Sequence, residues 1–243
     1  MSKKLFIFFF LLLFACAKKN VIKEENVEEL FNTGVKLMEE NKYNKAITYF
    51  NKIVNEYPHT GYLIKSQFLL AECYFQKKDY EKAKLEYEFY AKTFPYGEDY
   101  ENALYKSLVC DLKILSKSKN LSALEELKEK FLEFQENYPE SKFSNEVGNY
   151  INNIDSLIAK NFFDIAFLYY KNNELKGAEI YFEYVKDNFP NTSFKIFSLY
   201  FLADIYYKNN EKEKAQEYLE EVIKKGNDEL KAKAQKLLAK WKR

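Results

Sequence analysis

Cys16 is the side chain in this sequence with the plainest covalent chemistry. Lys3, Lys4 and the unbroken apolar run from Leu5 to Phe14 precede it, and Ala15 stands directly before it. A basic start, a short apolar core and a small residue before the cut site make a secretory signal of residues 1–15. The run falls well short of the roughly 20 residues that a spanning helix needs. The thiol of Cys16 is thereby placed on the first residue after cleavage. Few other residues offer chemistry. His59 is the single histidine and sits in a turn after Pro58; with Cys73 and Cys110 inside the helical stretches LLAECYF and YKSLVCDL, it cannot supply the usual tetrahedral zinc set. No serine occupies a G-x-S-x-G elbow, and no Gly-rich phosphate loop is present. Acidic residues alternate with lysine in EELKEK and EKEKAQEYLEE, the pattern of solvated helix faces. The expectation is therefore a protein that is not an enzyme, with no catalytic residue, no metal and no cofactor.

The spacing around the thiol resembles a bacterial lipobox, with Leu13 at −3, Ala15 at −1 and Cys16 as the lipidated residue. The resemblance implies acyl chains, palmitate among them, on Cys16. Each buried methylene contributes about 0.8 kcal/mol, so several chains make a lasting anchor. Ala17 follows the cysteine where an Asp would signal inner-membrane retention. The lipoprotein sorting rule then implies an outer-membrane location, lipid-anchored and facing the periplasm. Residues 16–27 (CAKKNVIKEENV) read as a lipidated tether.

Composition points to helix throughout. The chain holds 22 Phe and 21 Tyr but only 6 Gly and 4 Pro, so few breakers interrupt its pattern. Its 38 basic side chains balance 37 acidic ones, which argues against a nucleic-acid partner. Cys73 and Cys110 lie one repeat period apart. Packed helices stand 8–10 Å apart whereas a disulfide needs Cα atoms within about 7 Å, so two buried thiols are expected rather than a bridge.

The chain repeats itself. YNKAITYFNKIVNEYP (Tyr43 to Pro58) superposes without a gap on YEKAKLEYEFYAKTFP (Tyr80 to Pro95), and Ala46 and Ala83 lie 37 positions apart. ELKGAEIYFEYVKDNFP (Glu174 to Pro190) and EKEKAQEYLEEVIKKG (Glu211 to Gly226) have the same form. A small residue falls 12 positions before each of these alanines: Gly34, Ala71, Ala166 and Ala203. Small residues on both helices let an antiparallel pair approach closely, and proline ends the second helix. A less regular copy spans Tyr100 to Pro139, with Leu127 at the alanine position and looser packing expected there. From about Ser144 no proline intervenes before Tyr170, which predicts one long helix. Leu230, Ala234, Leu237 and Trp241 share a face of a terminal helix that would cap the stack. The pattern resembles the tetratricopeptide repeat. The expected fold is all-α, a helical-hairpin solenoid of about five repeats (28–60, 62–97, 100–140, 144–191, 195–226) closed by a capping helix, 227–243.

The lipobox, the five repeats and the long fourth helix together resemble the BamD family, outer-membrane lipoproteins of the β-barrel assembly machinery. The segments that carry this are YPHTGYLIKSQFLLAECYFQKKDYEKAKLEYEFYAKTFP and IAKNFFDIAFLYYKNNELKGAEIYFEYVKDNFPNT. The resemblance implies a scaffold that binds the barrel-forming subunit BamA, and in some species accessory lipoproteins, and helps deliver and insert unfolded outer-membrane proteins. It implies that repeats near the N-terminus form a groove for client signals and that those near the C-terminus meet BamA. Counting from the small residues, the groove candidates are Phe31, Val35, Met38, Phe68, Glu72 and Phe75; such aromatics either meet a peptide or pack between helices. The partner-contact candidates are Phe163, Phe167, Tyr170, Lys171, Asn172, Tyr200 and Tyr207; the turns beside them either touch a partner or are solvated loops. The alternative reading is another periplasmic repeat adaptor, for envelope or division coordination.

Overall fold

The computed structural model describes residues 24–116, 118 and 120–241, so Cys16 and the signal segment lie outside the described residues. Eleven helices run through the described residues: α1 (Glu24–Glu39), α2 (Tyr43–Glu56), α3 (Leu63–Gln76), α4 (Tyr80–Thr93), α5 (Tyr100–Leu115), α6 (Leu121–Asn137), α7 (Ser144–Lys171), α8 (Leu175–Asn188), α9 (Ser193–Lys208), α10 (Lys212–Lys225) and α11 (Asp228–Trp241). They form two compact units, residues 1–100 and 101–243. In the first, α1/α2 and α3/α4 are antiparallel hairpins, and α2 also packs on α3. In the second, α7/α8 and α9/α10 are the corresponding hairpins, α6 packs on α7, and α11 closes the stack against α10. Helix α1 starts inside the segment read as tether, because Val27 is fully buried and draws its turn into the fold. No helix among the described residues is long and apolar enough to cross a membrane.

The repeat spacing places its small residues at helix crossings. Ala46, Ala71, Ala83, Ala166, Ala178, Ala203 and Ala215 are all fully buried. One turn beyond each second-helix alanine, a large side chain fills the space between the helices: Phe50, Tyr87, Phe182 and Leu219, each fully buried. At Gly34 the crossing leaves no room for a side chain. A Cβ built there would meet the Phe50 ring at 2.8 Å. In the irregular repeat Leu127 is itself buried, at 2 % exposure.

The hairpin turns share one geometry. Asn41, Lys78, Asn173 and Asn210 adopt positive φ (58°, 63°, 61° and 67°), each five positions before the second-helix alanine. The next residue donates its N–H back across the turn, as from Lys42 to Leu37, Asp79 to Tyr74, Glu174 to Tyr169 and Glu211 to Tyr206. This Schellman closure satisfies the last carbonyls of the first helix. Asparagine tolerates the left-handed region, which accounts for three of the four. The second helices α2, α4, α6 and α8 end just before Pro58, Pro95, Pro139 and Pro190, since the residue before a proline is disfavoured in α geometry. Helix α7 runs 28 residues without such a stop. Cys73 and Cys110 are buried and not disulfide-bonded.

Replacing Gly34 by alanine should tell whether helix propensity or packing governs the crossing. Alanine gains about 1 kcal/mol of propensity. The buried Phe50 ring cannot retreat, and overpacking costs typically 1–3 kcal/mol. Gly34→Ala is therefore expected to lower the urea midpoint of unfolding; a raised midpoint would mean the ring yields freely.

Candidate functional site

In the first unit, α1 and α3 share one face, and the residues predicted for a groove lie along it. Val35 and Met38 are half-buried and line a hollow of about 330 Å³ with Glu39, Tyr43, Leu69 and Gln76. The aromatics are committed to packing. Phe31 sits 6.1 Å from the Phe50 ring and 5.2 Å from Tyr62. Phe68 is only 5 % exposed, between Tyr87 and Tyr90 at 5.8 and 5.5 Å. Phe75 lies edge-on to Tyr80 and Tyr87. Glu72 accepts a hydrogen bond from the Tyr87 hydroxyl. The accessible part of this face is thus a mixed hollow, with Val35, Met38 and Leu69 beside Tyr43, Glu39 and Gln76, and none of the candidate Phe side chains lines it. Leu69, Tyr43 and Gln76 belong to it although counting from the small residues passes over them.

In the second unit, α7 and α9 share the equivalent face. Phe163 is half-buried among Phe167, Phe182, Phe194, Phe197 and Phe201, all within 6.2 Å. Phe167 keeps 36 % of its surface exposed, and the Lys171 ammonium lies 5.6 Å above its ring. Tyr170 donates to Asp204 at 2.5 Å; Lys208 pairs with the same carboxylate at 2.7 Å and covers the Tyr170 ring at 4.9 Å. Tyr200 packs edge-on to Phe201, and Tyr207 stacks on Trp241 at 4.1 Å. Asn172, exposed, caps the end of α7. Phe163, Phe167, Tyr170 and Tyr200 all converge on Phe201, whereas Lys171 and Asn172 sit at the turn and Tyr207 belongs to the α9–α11 contact.

A second feature passed over by the sequence count lies on the outer helices. Leu85 and Phe89 on α4, and Ile180 and Tyr184 on α8, are exposed at the second and sixth positions after the repeat alanine. Thr48 and Lys52, and Glu217 and Glu221, hold those positions in the flanking copies. Aligning the copies would have exposed the contrast. Beside the α8 pair, Ile165 and Leu168 leave the outward side of α7 apolar, Leu168 at 61 % exposure.

Tyrosine hydroxyls paired with carboxylates recur at these faces. Tyr105 donates to Glu146, Tyr170 to Asp204, and Tyr206 to Glu183 at 2.6 Å. Burial, reinforced by the adjacent carboxylate, raises all three phenol pKa values above the ordinary range. Glu183 also pairs with Lys186 at 2.6 Å. Desolvation works to lower the Lys186 pKa, but its hydrogen bonds to Glu183 and Asp187 outweigh it and the net shift is upward. Burial pushes the Cys73 thiol up to about 12, with the Glu72 charge adding to it, so the thiol is inert at neutral pH. Among the described residues no group of His, Cys, Asp and Glu is placed to hold a metal ion.

The raised phenols have a definite consequence. The neutral phenol is preferred in the fold, so its contribution is whole below the unfolded pKa of about 10 and is lost as pH rises through the folded value. Phenolate absorbance at 295 nm should then split into an early class and a class that ionises together with loss of helical ellipticity. Tyr170→Phe should remove one phenol from the late class. A single early titration of all tyrosines would contradict this.

Residues 23–222 match the model of a family described as YfiO, outer membrane lipoprotein. No curated protein matches the chain. Among solved structures, the chain is similar to MamA (residues 41 to the end) from Desulfovibrio magneticus RS-1, at 13% identity over 83% of this chain and 97% of that one, with a TM-score of 0.38. It is also similar to a thermophilic TPR protein in Thermus thermophilus, at 13% identity over 88% and 99%, with a TM-score of 0.36.

Proposed function

The chain belongs to the YfiO family of outer-membrane lipoproteins, and from that premise we propose that it is a scaffold of the β-barrel assembly machinery. In this reading it is anchored through Cys16 to the periplasmic face of the outer membrane. It binds the barrel-forming subunit BamA, and accessory lipoproteins where they occur, and presents unfolded barrel proteins for insertion. It works by binding and orientation and carries out no covalent step of its own. The observation that carries the reading is the family match, which spans helices of both units. The surfaces are consistent with docking. The hollow beside Val35 and Met38 offers apolar contact to an extended client segment, and the ring cluster around Phe201 offers large, stiff contact area to a folded partner.

Tagged protein recovered in detergent should bring down the barrel-forming subunit, and depletion should lower many outer-membrane barrels together. If septation fails while barrel levels hold, the protein is an adaptor of another kind. Cys16→Ser should move the protein from the membrane to the soluble fraction; retention in the membrane fraction would refute lipid anchoring at this residue.

A further inference from the structure

A cavity of about 470 Å³ lies between α9 and α11, lined by Tyr200, Lys233, Lys236, Leu237, Ala239 and Lys240. Its volume falls in the range of small-ligand sites, roughly 300–1,000 Å³. Lys233, Lys236 and Lys240 share one face of α11, and like charges three and four positions apart on a helix repel. Lys233 is offset by Glu229 at 2.6 Å. Lys236 and Lys240 form no ion pair among the described residues. The helix carries Lys231, Lys233, Lys236 and Lys240 against only Asp228 and Glu229, and both acids lie in its first turn. The nearest acid on α9 is Asp204, already engaged by the Tyr170 hydroxyl and Lys208. Tyr200 lines this cavity, and its hydroxyl makes no hydrogen bond to the described residues. Two uncompensated ammonium groups and an unspent phenol thus surround a floor made of Leu237, Ala239 and lysine stems.

We propose that the α9–α11 cavity is a binding site for a carboxylate of an acidic, extended polypeptide segment, held by Lys236, Lys240 and the Tyr200 hydroxyl. The stacked Tyr207–Trp241 pair supplies a second anchor. Tyr207 lies seven residues beyond Tyr200 on the same stripe of α9, about 10 Å along the axis. That is about three residues of extended chain. An aromatic residue of the segment meets those rings while its acid occupies the cavity. A peptide fits better than a lipid head group, because a lipid needs apolar surface at the mouth for its chains. The exposed large apolar side chains of this unit stand on α6, α7 and α8, and none stands on α11. The site is defined by ligand chemistry and holds whether or not the chain serves barrel assembly.

The test uses the full chain in detergent and a fluorescein-labelled twelve-residue peptide of alternating Glu and Tyr, read by anisotropy. Wild type should bind it, more weakly as salt rises, and a Gln/Tyr peptide of equal length should bind at least tenfold more weakly. The double substitution Lys236→Glu, Lys240→Glu should weaken binding at least tenfold with helical ellipticity unchanged. Lys224→Glu, exposed on α10 and away from the cavity, should leave it within twofold. Tyr200→Phe should cost a few-fold. Equal binding by the double variant, or by the Gln/Tyr peptide, overturns the proposal. So does displacement of the labelled peptide by glycerol 1-phosphate at lower concentration than by unlabelled peptide, which would assign the site to phosphate head groups.

Discussion

Close approach of two helices at paired small residues is the constraint on which the rest of this structure depends. Gly34 against Ala46, Ala71 against Ala83, Ala166 against Ala178 and Ala203 against Ala215 recur at one spacing, and each of the seven alanines is fully buried. With nothing larger than a methyl group at the crossing, the ring or branched chain one turn away can reach across it, as Phe50 does against Gly34. Burial of such large side chains at about 25 cal/mol per Å² is what holds the hairpins shut. The turn is then closed by an identical set of backbone hydrogen bonds, so the angle of each hairpin is set twice over.

Tyrosine does for polar satisfaction what alanine does for distance. A tyrosine ring packed between helices delivers its hydroxyl to a carboxylate on another helix. Tyr87 with Glu72 closes a hairpin in this way, and Tyr105 with Glu146, Tyr170 with Asp204 and Tyr206 with Glu183 join successive hairpins. The arrangement lets these four tyrosines pack their rings between helices without orphaning their hydroxyls. The same carboxylates also pair with lysines, Asp204 with Lys208 and Glu183 with Lys186, whereas Lys236 and Lys240 on α11 have no such counter-charge among the described residues.

The two shared faces differ in consequence. In the first unit the candidate Phe side chains pack against other rings, and a hollow lined by Val35, Met38 and Leu69 with Tyr43, Glu39 and Gln76 remains outside. In the second, the long α7 brings Phe163, Phe167 and Tyr170 against Phe201, giving a ring cluster part of which stays exposed. A hollow lined by flexible side chains accommodates varied apolar groups, whereas clustered rings present a fixed shape.

Residue spacing alone determined the all-helical hairpins, the ends of α2, α4, α6 and α8 at prolines, the unbroken α7 and the capping role of Leu230 and Ala234 on α11, because backbone geometry and helical periodicity are local properties. The lipobox-like pattern around Cys16 is legible in the same way, as a short linear motif. The tertiary structure decided which aromatics are walls and which are surface. Phe68 and Phe163 each lie three positions before the small residue of their repeat, yet Tyr87 and Tyr90 close over the first, which is 5 % exposed, while the second stays only half-buried among its neighbouring rings. It also decided that α1 includes residues 24–27, through the burial of Val27, and that Tyr200 meets three lysines from a helix more than thirty residues on. Exposure depends on what neighbouring helices place over a side chain, and that information is spread over residues far apart in the chain.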